Sequence, residues 1–472
     1  MSKKLLNETT EKLLEKFGAG DHKPGSGSAA AFQGMISAKL LVTVISLTNE
    51  EKRRENYSEW LPTLLKMDAD IQGRIFPELT KLFQEDAIQF DKTIKSREER
   101  DKEKNLAAKN RLTRQALIEL KISTEIPVKI AKLSIELAEM AQFVFDKGFQ
   151  SARGDSQVAL SGAVAALAGC MSIVQLNLLS FGSDEYNWTE KIITETVQLK
   201  TSYQKFNSIA NSKIETLETE VKEKALLYKE VNEIISRIKS KQNPTDTQIE
   251  TCAIQFQNLI WRYREKIWKK NVPEDPIEIL NPSMVFKKLL GYEFYKSTEL
   301  GKNESRNGIS EIAGSIDQSN KLVLISNQFP EQTQNFTAAH ELGHAVLHKQ
   351  SVMHRDKPLD RAETKSRRIP EELQADKFAS FFLMPKKQIT EIFQECFLTE
   401  KFIIDENSVF NLTQGRTSAL RDECKDLRGL SRKLAKAESF AGQSFKSISE
   451  LFNVSVEAIA IRLEELDLVK FK

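Results

Sequence analysis

Cysteine is scarce in this chain, and no two cysteines stand close together. Of 472 residues only Cys170, Cys252, Cys396 and Cys424 are cysteines, with no Cys-x-x-Cys pair among them. That excludes a zinc ribbon and a disulfide-stapled scaffold, and it fits a reducing compartment. Long apolar runs are missing as well: no stretch reaches the roughly 18 uninterrupted apolar residues that a membrane span needs. The opening run Met1-Ser-Lys-Lys-Leu-Leu-Asn-Glu8 lacks the apolar core of a signal peptide. A cytoplasmic protein with no membrane partner is expected. Nor is there an excess of one charge. With 69 Lys and Arg against 67 Asp and Glu, the formal charge is +2, which offers no whole-chain attraction for nucleic acid or an anionic membrane.

What the chain does have is length and helical texture. A chain of 472 residues exceeds one ordinary core, so two or three domains are expected. Residues 1–240 read as almost wholly helical. Apolar residues recur at three- and four-residue spacing through 40–47, 64–90, 116–144 and 158–179, and only Pro24, Pro62, Pro77 and Pro127 interrupt. Strand-like alternation is absent, so an antiparallel helical bundle is expected. The mixed-charge run 97–104 reads as a solvated face. From Trp188 to Ile238 a long pattern continues along Leu217, Val221, Tyr228, Val231, Ile235 and Ile238. It reads as a bundle helix extended into a connector, with a coiled-coil arm as the alternative.

Residues 239–247, with Asn243-Pro244 inside them, break the pattern and mark a boundary, leaving 248–472 as a second domain. Here a helix is expected near 249–270 and a short one near 283–290. Two strands, Glu311 to Asp317 and Lys321 to Ser326, form a hairpin through Gln318-Ser-Asn320. The second domain is therefore α+β, and the chain as a whole mainly α and multidomain.

The chemistry concentrates after that hairpin. Four of the five histidines, His340, His344, His348 and His354, fall within fifteen residues, in and after Phe336-Thr-Ala-Ala-His-Glu-Leu-Gly-His344. At about 100° per residue, Phe336, Ala339, Leu342, Gly343, Val346 and Leu347 share one arc, which packs into a core. His340, Glu341, His344 and His348 share another, which is expected to face a cleft. Histidines four residues apart lie roughly 6 Å apart along a helix, close enough for both rings to reach one tetrahedral ion. Gly343 on the packed side permits close approach by another element, with the hairpin as the candidate. The rival interpretation is a polar histidine face without metal.

A catalytic zinc needs a third protein ligand and one open position. The extended histidine motif would need glycine at 347 and histidine at 350; Leu347 and Gln350 exclude it. A carboxylate from a second helix is the alternative, and the run opening at Pro370 and closing at Pro385 supplies one. Glu372 and Asp376 lie one turn apart, so Glu372 takes the ligand role while Asp376 accepts the second ring N–H of a ligand histidine. Glu371 is the rival ligand, with no aspartate four residues beyond it. His348 is too far along the axis to share the ion, which leaves it beside the site or on polar surface. His354 is a candidate for stabilising the tetrahedral intermediate. One zinc per chain would polarise the scissile carbonyl and acidify its water, and Glu341 would carry the proton to the leaving amine.

The stretch from about Ile249 to the C-terminus resembles the ImmA/IrrE metallopeptidases. The likeness rests on Ala313-Gly-Ser-Ile-Asp317, on 336–348, on Glu372-Leu-Gln-Ala-Asp-Lys-Phe-Ala379 and on Leu383-Met-Pro385. It implies a zincin-like domain with zinc on His340, His344 and Glu372, and Glu341 as base. It also implies cleavage of a helix-turn-helix repressor in stress response or mobile-element transfer. An insertion at about 386–444 departs from a compact member and carries Arg421, Lys425, Arg428, Arg432 and Lys436 as one moderately basic helix. Residues of about 445–472 read as a small helix-turn-helix-like module. Its second helix sets Arg462 against Glu457, Glu464 and Glu465, too little positive charge for phosphate attraction, so packing or substrate docking is expected of it rather than nucleic-acid binding.

The first domain resembles the cyclodeaminase domain of formiminotransferase-cyclodeaminase and related methenyl-tetrahydrofolate cyclohydrolases. The matching features are Lys23-Pro-Gly-Ser-Gly-Ser-Ala-Ala-Ala31, Asp86-Ala-Ile-Gln-Phe90 and Gly154-Asp155-Ser156. Backbone N–H groups at a glycine-containing helix start suit an anion, so Pro24, Gly25, Ser26, Gly27 and Ser28 are candidates for cradling a folate-like carboxylate. An ordinary helix–helix turn is the alternative. Asp86 and Asp155 are the only plausible carriers of folate chemistry, and the resemblance implies a homodimer through the bundle. Three functions follow from the whole: a regulatory zinc endopeptidase controlled by its first domain, a bifunctional folate cyclodeaminase and peptidase, and a non-catalytic toxin–antitoxin or phage-defence component.

Overall fold

Side chains flanking the helices decide where many of them start. Asn105 accepts hydrogen bonds from the N–H groups of Ala107 and Ala108, and Thr245 forms a reciprocal capping box with Gln248, satisfying donors that the first turn leaves orphaned. The computed structural model describes residues 5–20, 22–268, 271–298, 300–305, 308–349, 354–356 and 369–471. They form two units, Met1–Val221 and Lys222–Lys472.

The first unit is a helical bundle. Its main helices are α1 (Thr10–Gly18), α2 (Ser26–Thr48), α3 (Leu61–Asp70), α4 (Phe76–Lys102), α5 (Leu106–Lys147) and α6 (Arg153–Leu178). A long helix, α7 (Tyr186–Lys239), follows and runs across the division between the units. Leu41 and Ile45 of α2, Leu82 and Phe83 of α4, Leu137 of α5 and Leu167 of α6 meet in one core. Helices α2 and α6 are rich in alanine, glycine and serine, which lets their backbones approach closely. A methyl group on Gly162 would stand 2.6 Å from Ser37 Oγ, and one on Gly169 would touch Ala30, so the two helices run antiparallel. By length and composition alone both pass for membrane spans, yet about half of each apolar window is buried inside the bundle.

The second unit has its own core, which the last turns of α7 join through Leu227, Val231 and Ile238. Helix α8 (Asp246–Arg262) leads to a four-stranded sheet of order β1-β5-β4-β6, made of β1 (Glu293–Ser297), β4 (Gly314–Asp317), β5 (Leu322–Ser326) and β6 (His354–Asp356). A separate hairpin, β2 (Lys302–Ser305) and β3 (Gly308–Glu311), lies between the first two in the chain. Strands β4 and β5 pair antiparallel with Asp317 opposite Leu322, as the alternation predicts. The flanking strands β1 and β6 have no such signal, being five and three residues long. His354 lies on β6, and its side chain falls outside the described residues. Two helices pack on one another beside the sheet: α9 (Glu331–Leu347) and α10 (Pro370–Leu383).

The insertion folds onto the same core. Helix α11 (Lys386–Phe397) brings in Phe393, which packs on Phe397, and Phe397 in turn meets Phe402 and Phe440. The single basic helix expected across 421–436 is corrected to two, α12 (Thr417–Cys424) and α13 (Leu427–Ala435). The break comes at Lys425, in a positive-φ conformation, and Asp426, whose carboxylate accepts the Gly429 N–H at 2.7 Å and starts the next helix. Part of its charge is paired. Arg428 pairs with Glu457 and Glu464, and Arg432 with Glu457, all on α14 (Val456–Glu465), the second helix of the closing module. Arg462 of that helix is buried, donates to the Met384 carbonyl at 3.1 Å and lies over the Phe381 ring. The arginine considered for phosphate contact is built into the packing.

Candidate metal centre

The motif helix α9 is buried on both of its arcs, which corrects the expectation of an open polar face. Every residue from Thr337 to Leu347 is buried, Glu341 and His344 completely. The apolar arc meets the core. The helix is covered further because two glycines, one on each side of the contact, let neighbouring elements come close. A methyl at Gly343 would stand 2.9 Å from Ala375 Cα and 3.0 Å from its carbonyl oxygen. The element that Gly343 admits is therefore α10, not the hairpin. The hairpin approaches through its own glycine: a methyl at Gly314 would lie 2.5 Å from Thr337 Cγ2 and 2.8 Å from Glu341 Oε1.

The close contact at Gly343 lets the helix that carries Glu372 approach the two histidines. His340 Nε2 and His344 Nε2 are 3.0 Å apart, and the Glu372 carboxylate lies 3.2 Å from the first and 3.6 Å from the second. All three donors fall within 4.8 Å of one another. Ligands about 2.1 Å from a tetrahedral ion stand about 3.4 Å from each other. Two imidazoles and one carboxylate at these separations fit a zinc ion. Glu371 is exposed one residue away, so the structure brings Glu372 to the cluster and leaves its rival outside.

Behind the ligands stand hydrogen-bond partners. His340 Nδ1 is 2.8 Å from Asp376 Oδ1, the arrangement expected from the one-turn spacing of Glu372 and Asp376. His348 is neither the next rung of the helix nor polar surface. It ends α9 in extended backbone, is buried, and places Nδ1 3.1 Å from His344 Nδ1. Its Nε2 lies 3.0 Å from Gln374 Oε1. Burial pushes its pKa below the usual imidazole value, with Gln374, Glu371 and Glu372 opposing. Gln318, in the hairpin turn, donates to the His344 carbonyl at 2.9 Å and satisfies one acceptor of the last helical turn. Gln374, Gln318 and Gly314 carry no periodicity that marks them in the sequence, because all three act through contacts between elements.

The candidates of the first unit do not converge. Helix α2 begins at Ser26 with Gly25 as its cap, which has no side chain to accept a hydrogen bond. Asp86 of α4 serves instead: its Oδ2 accepts from the Ser28 N–H at 2.6 Å and from Ser28 Oγ at 2.9 Å. A methyl on Gly27 would lie 2.1 Å from Asp86 Oδ1, so the glycine makes room for the aspartate. Burial raises the Asp86 pKa, and the two Ser28 hydrogen bonds oppose it. Pro24 is buried in the preceding turn, and Lys23 is paired with Asp91 at 3.2 Å. Asp155 is exposed in the first turn of α6. It stands fourteen helical residues before Gly169, which lies beside Ala30, a separation of roughly 21 Å from that end of α2. Asp86 and Asp155 therefore occupy opposite ends of the bundle.

Comparison with known proteins divides the chain in the same two parts. Residues 9–196 match the family described as formiminotransferase-cyclodeaminase, and residues 298–401 match a peptidase family described as IrrE N-terminal-like domain. The chain thus carries a cyclodeaminase-like domain and an IrrE-like peptidase domain. A methenyltetrahydrofolate cyclohydrolase of Methylorubrum extorquens is 27% identical over 192 residues, covering 40% of this chain and 87% of its own. The crystal structure of formiminotetrahydrofolate cyclodeaminase from Thermotoga maritima aligns over 45% of this chain and 98% of its own, with 14% identity and a TM-score of 0.39.

Proposed function

We propose that this chain is a zinc-dependent endopeptidase of zincin-like fold that cleaves a specific regulatory protein, under control of its first domain. The observation that carries the proposal is the convergence of His340, His344 and Glu372 from two helices, with Asp376 behind one imidazole. In this reading His340, His344 and Glu372 hold the ion. Zinc so held would supply Lewis acidity toward the scissile carbonyl and acidify a water. Glu341, buried next to its neighbour His340 and walled by Gly314, takes the proton of the attacking water and delivers it to the leaving amine. Asp376 keeps a proton on His340 Nδ1, so that Nε2 presents its lone pair to the ion. The peptide bond breaks without a covalent enzyme intermediate.

The substrate class we propose is the one that the resemblance to the ImmA/IrrE metallopeptidases implies: a helix-turn-helix repressor or another co-encoded partner. The test is incubation with the proteins encoded beside this chain, a helix-turn-helix protein first where one is encoded there. A single cleavage product is expected from the zinc-loaded protein and none from Glu341→Gln; unchanged cleavage by that variant would refute Glu341 as base.

A folate-like anion as ligand of the first domain is the second reading, favoured by the similarity to a cyclohydrolase. The placement of Asp86 under Ser28, whose N–H and hydroxyl it already takes, argues for a structural role of Asp86 and against turnover through it. Methenyl-tetrahydrofolate absorbance should stay flat with this chain, and a decay abolished by Asp155→Ala would establish the bifunctional enzyme instead. A homodimer through the bundle belongs to the same reading, supported by Ile36, Val158 and Leu176 exposed on helices that are apolar all round.

A further inference from the structure

We infer that His348 and Gln374 form a second, uncharged relay that orients His344 for the metal, as Asp376 orients His340. This rests on the metal-site reading above and extends it to residues that hold no ion themselves. A ligand histidine needs its non-ligating nitrogen held, because that hydrogen bond fixes both ring rotation and tautomer. For His340 the holder is a carboxylate at 2.8 Å. For His344 the group facing Nδ1 is another imidazole nitrogen, His348 Nδ1, at 3.1 Å.

Two ring nitrogens share a hydrogen bond only if one carries the hydrogen and the other a lone pair. Gln374 decides which. Its carbonyl oxygen, 3.0 Å from His348 Nε2, only accepts, so His348 carries its hydrogen on Nε2 and leaves Nδ1 as an acceptor. His344 then donates from Nδ1, and its Nε2 lone pair faces His340 Nε2 and Glu372. The fold supplies the geometry. Helix α9 ends at Leu347, so His348 takes extended backbone and turns back under His344. Gln374 lies on α10 between Glu372 and Asp376, so the helix that gives the third ligand also gives the end of both relays. The two relays differ in charge. Asp376 brings a negative charge toward the ion; His348 and Gln374 bring none, and the Lewis acidity of the ion is spared.

The test is zinc affinity of the full-length chain, read by competition with a chromophoric chelator, with thermal unfolding of each metal-free variant alongside. His348→Ala should bind zinc about 10- to 100-fold more weakly, a larger loss than the lowered metal-free melting temperature from stranding the His344 N–H accounts for. His348→Asn, whose amide oxygen can stand near the position of ring Nδ1, should recover affinity to within about threefold of wild type, and Gln374→Leu should fall between. Equal weakening by the alanine and asparagine variants would mean that His348 only fills space. Wild-type affinity in His348→Ala would overturn the relay while leaving the metal site standing. A wild-type chain that binds no zinc would instead overturn the metal site.

Discussion

Asp86 in the first unit and Glu372 in the second are both carboxylates brought from one helix to the flank of another, and they meet opposite surroundings. Asp86 finds a helix start: the N–H and hydroxyl of Ser28 take its lone pairs at 2.6 and 2.9 Å, and Gly27 leaves just enough space. Glu372 finds two imidazole nitrogens at 3.2 and 3.6 Å, which in the proposed metal site turn their lone pairs, with its oxygens, toward one ion. Donors surround the first carboxylate, and candidate ligand atoms surround the second. An acid facing donors completes a fold, whereas acids and imidazoles facing each other call for a cation between them. A sequence motif does not separate these cases; the partner of each lone pair does.

The contrast can be broken most directly at Glu341. Its replacement by glutamine should cut cleavage of the protein substrate found by co-incubation by about 10²- to 10⁴-fold, with zinc retained because Glu341 has no ligand role in the proposed site. Loss of zinc in that variant would make it part of the metal set instead. Next in size is Gly343→Ala. A methyl facing the Ala375 backbone at 2.9 Å must push α10 away, with an expected loss of about 1–3 kcal/mol in denaturant unfolding and weaker zinc binding. Unaltered zinc affinity would show that the helix spacing does not set the ligand spacing.

The same contrast predicts a structural outcome for Asp86. Asp86→Ala should cost about 1–3 kcal/mol, because it strands a buried N–H, whereas Asp86→Asn keeps an acceptor and should cost less. Burial raises the folded-state pKa of Asp86, so the folded chain holds this proton more tightly than the unfolded one. Wild-type stability relative to Asp86→Asn should then fall as pH rises from the ordinary carboxylate pKa through the raised one, and level off above it. An opposite slope would mean that the Ser28 hydrogen bonds outweigh burial. Smallest of all, Asp155→Ala at an exposed helix start should change stability by less than about 0.5 kcal/mol; a larger loss would reveal a role that the geometry does not show.

Much of this is legible in the amino-acid sequence alone. Periodicity gave the bundle helices, alternation gave β4 and β5, and the four-residue spacings placed His340, His344, Glu372 and Asp376 on shared helix faces. Prolines at 370 and 385 bounded α10 as expected. Three features were not legible. Strands β1 and β6 are short and gain their identity from pairing with β5 and β4. The break at Lys425 arises from Asp426 capping the next helix. The burial of Glu341 and the turn of His348 under His344 depend on which element packs where, which helical spacing leaves open.

Zinc titration of the metal-free full-length chain, beside His344→Ala and Glu372→Ala, tests the central claim most directly. Saturation near one zinc per chain, lost in His344→Ala and severely weakened in Glu372→Ala, is the predicted result. A wild-type chain that takes up no zinc, or variants that bind it as tightly as wild type, would contradict a metal centre built on these residues.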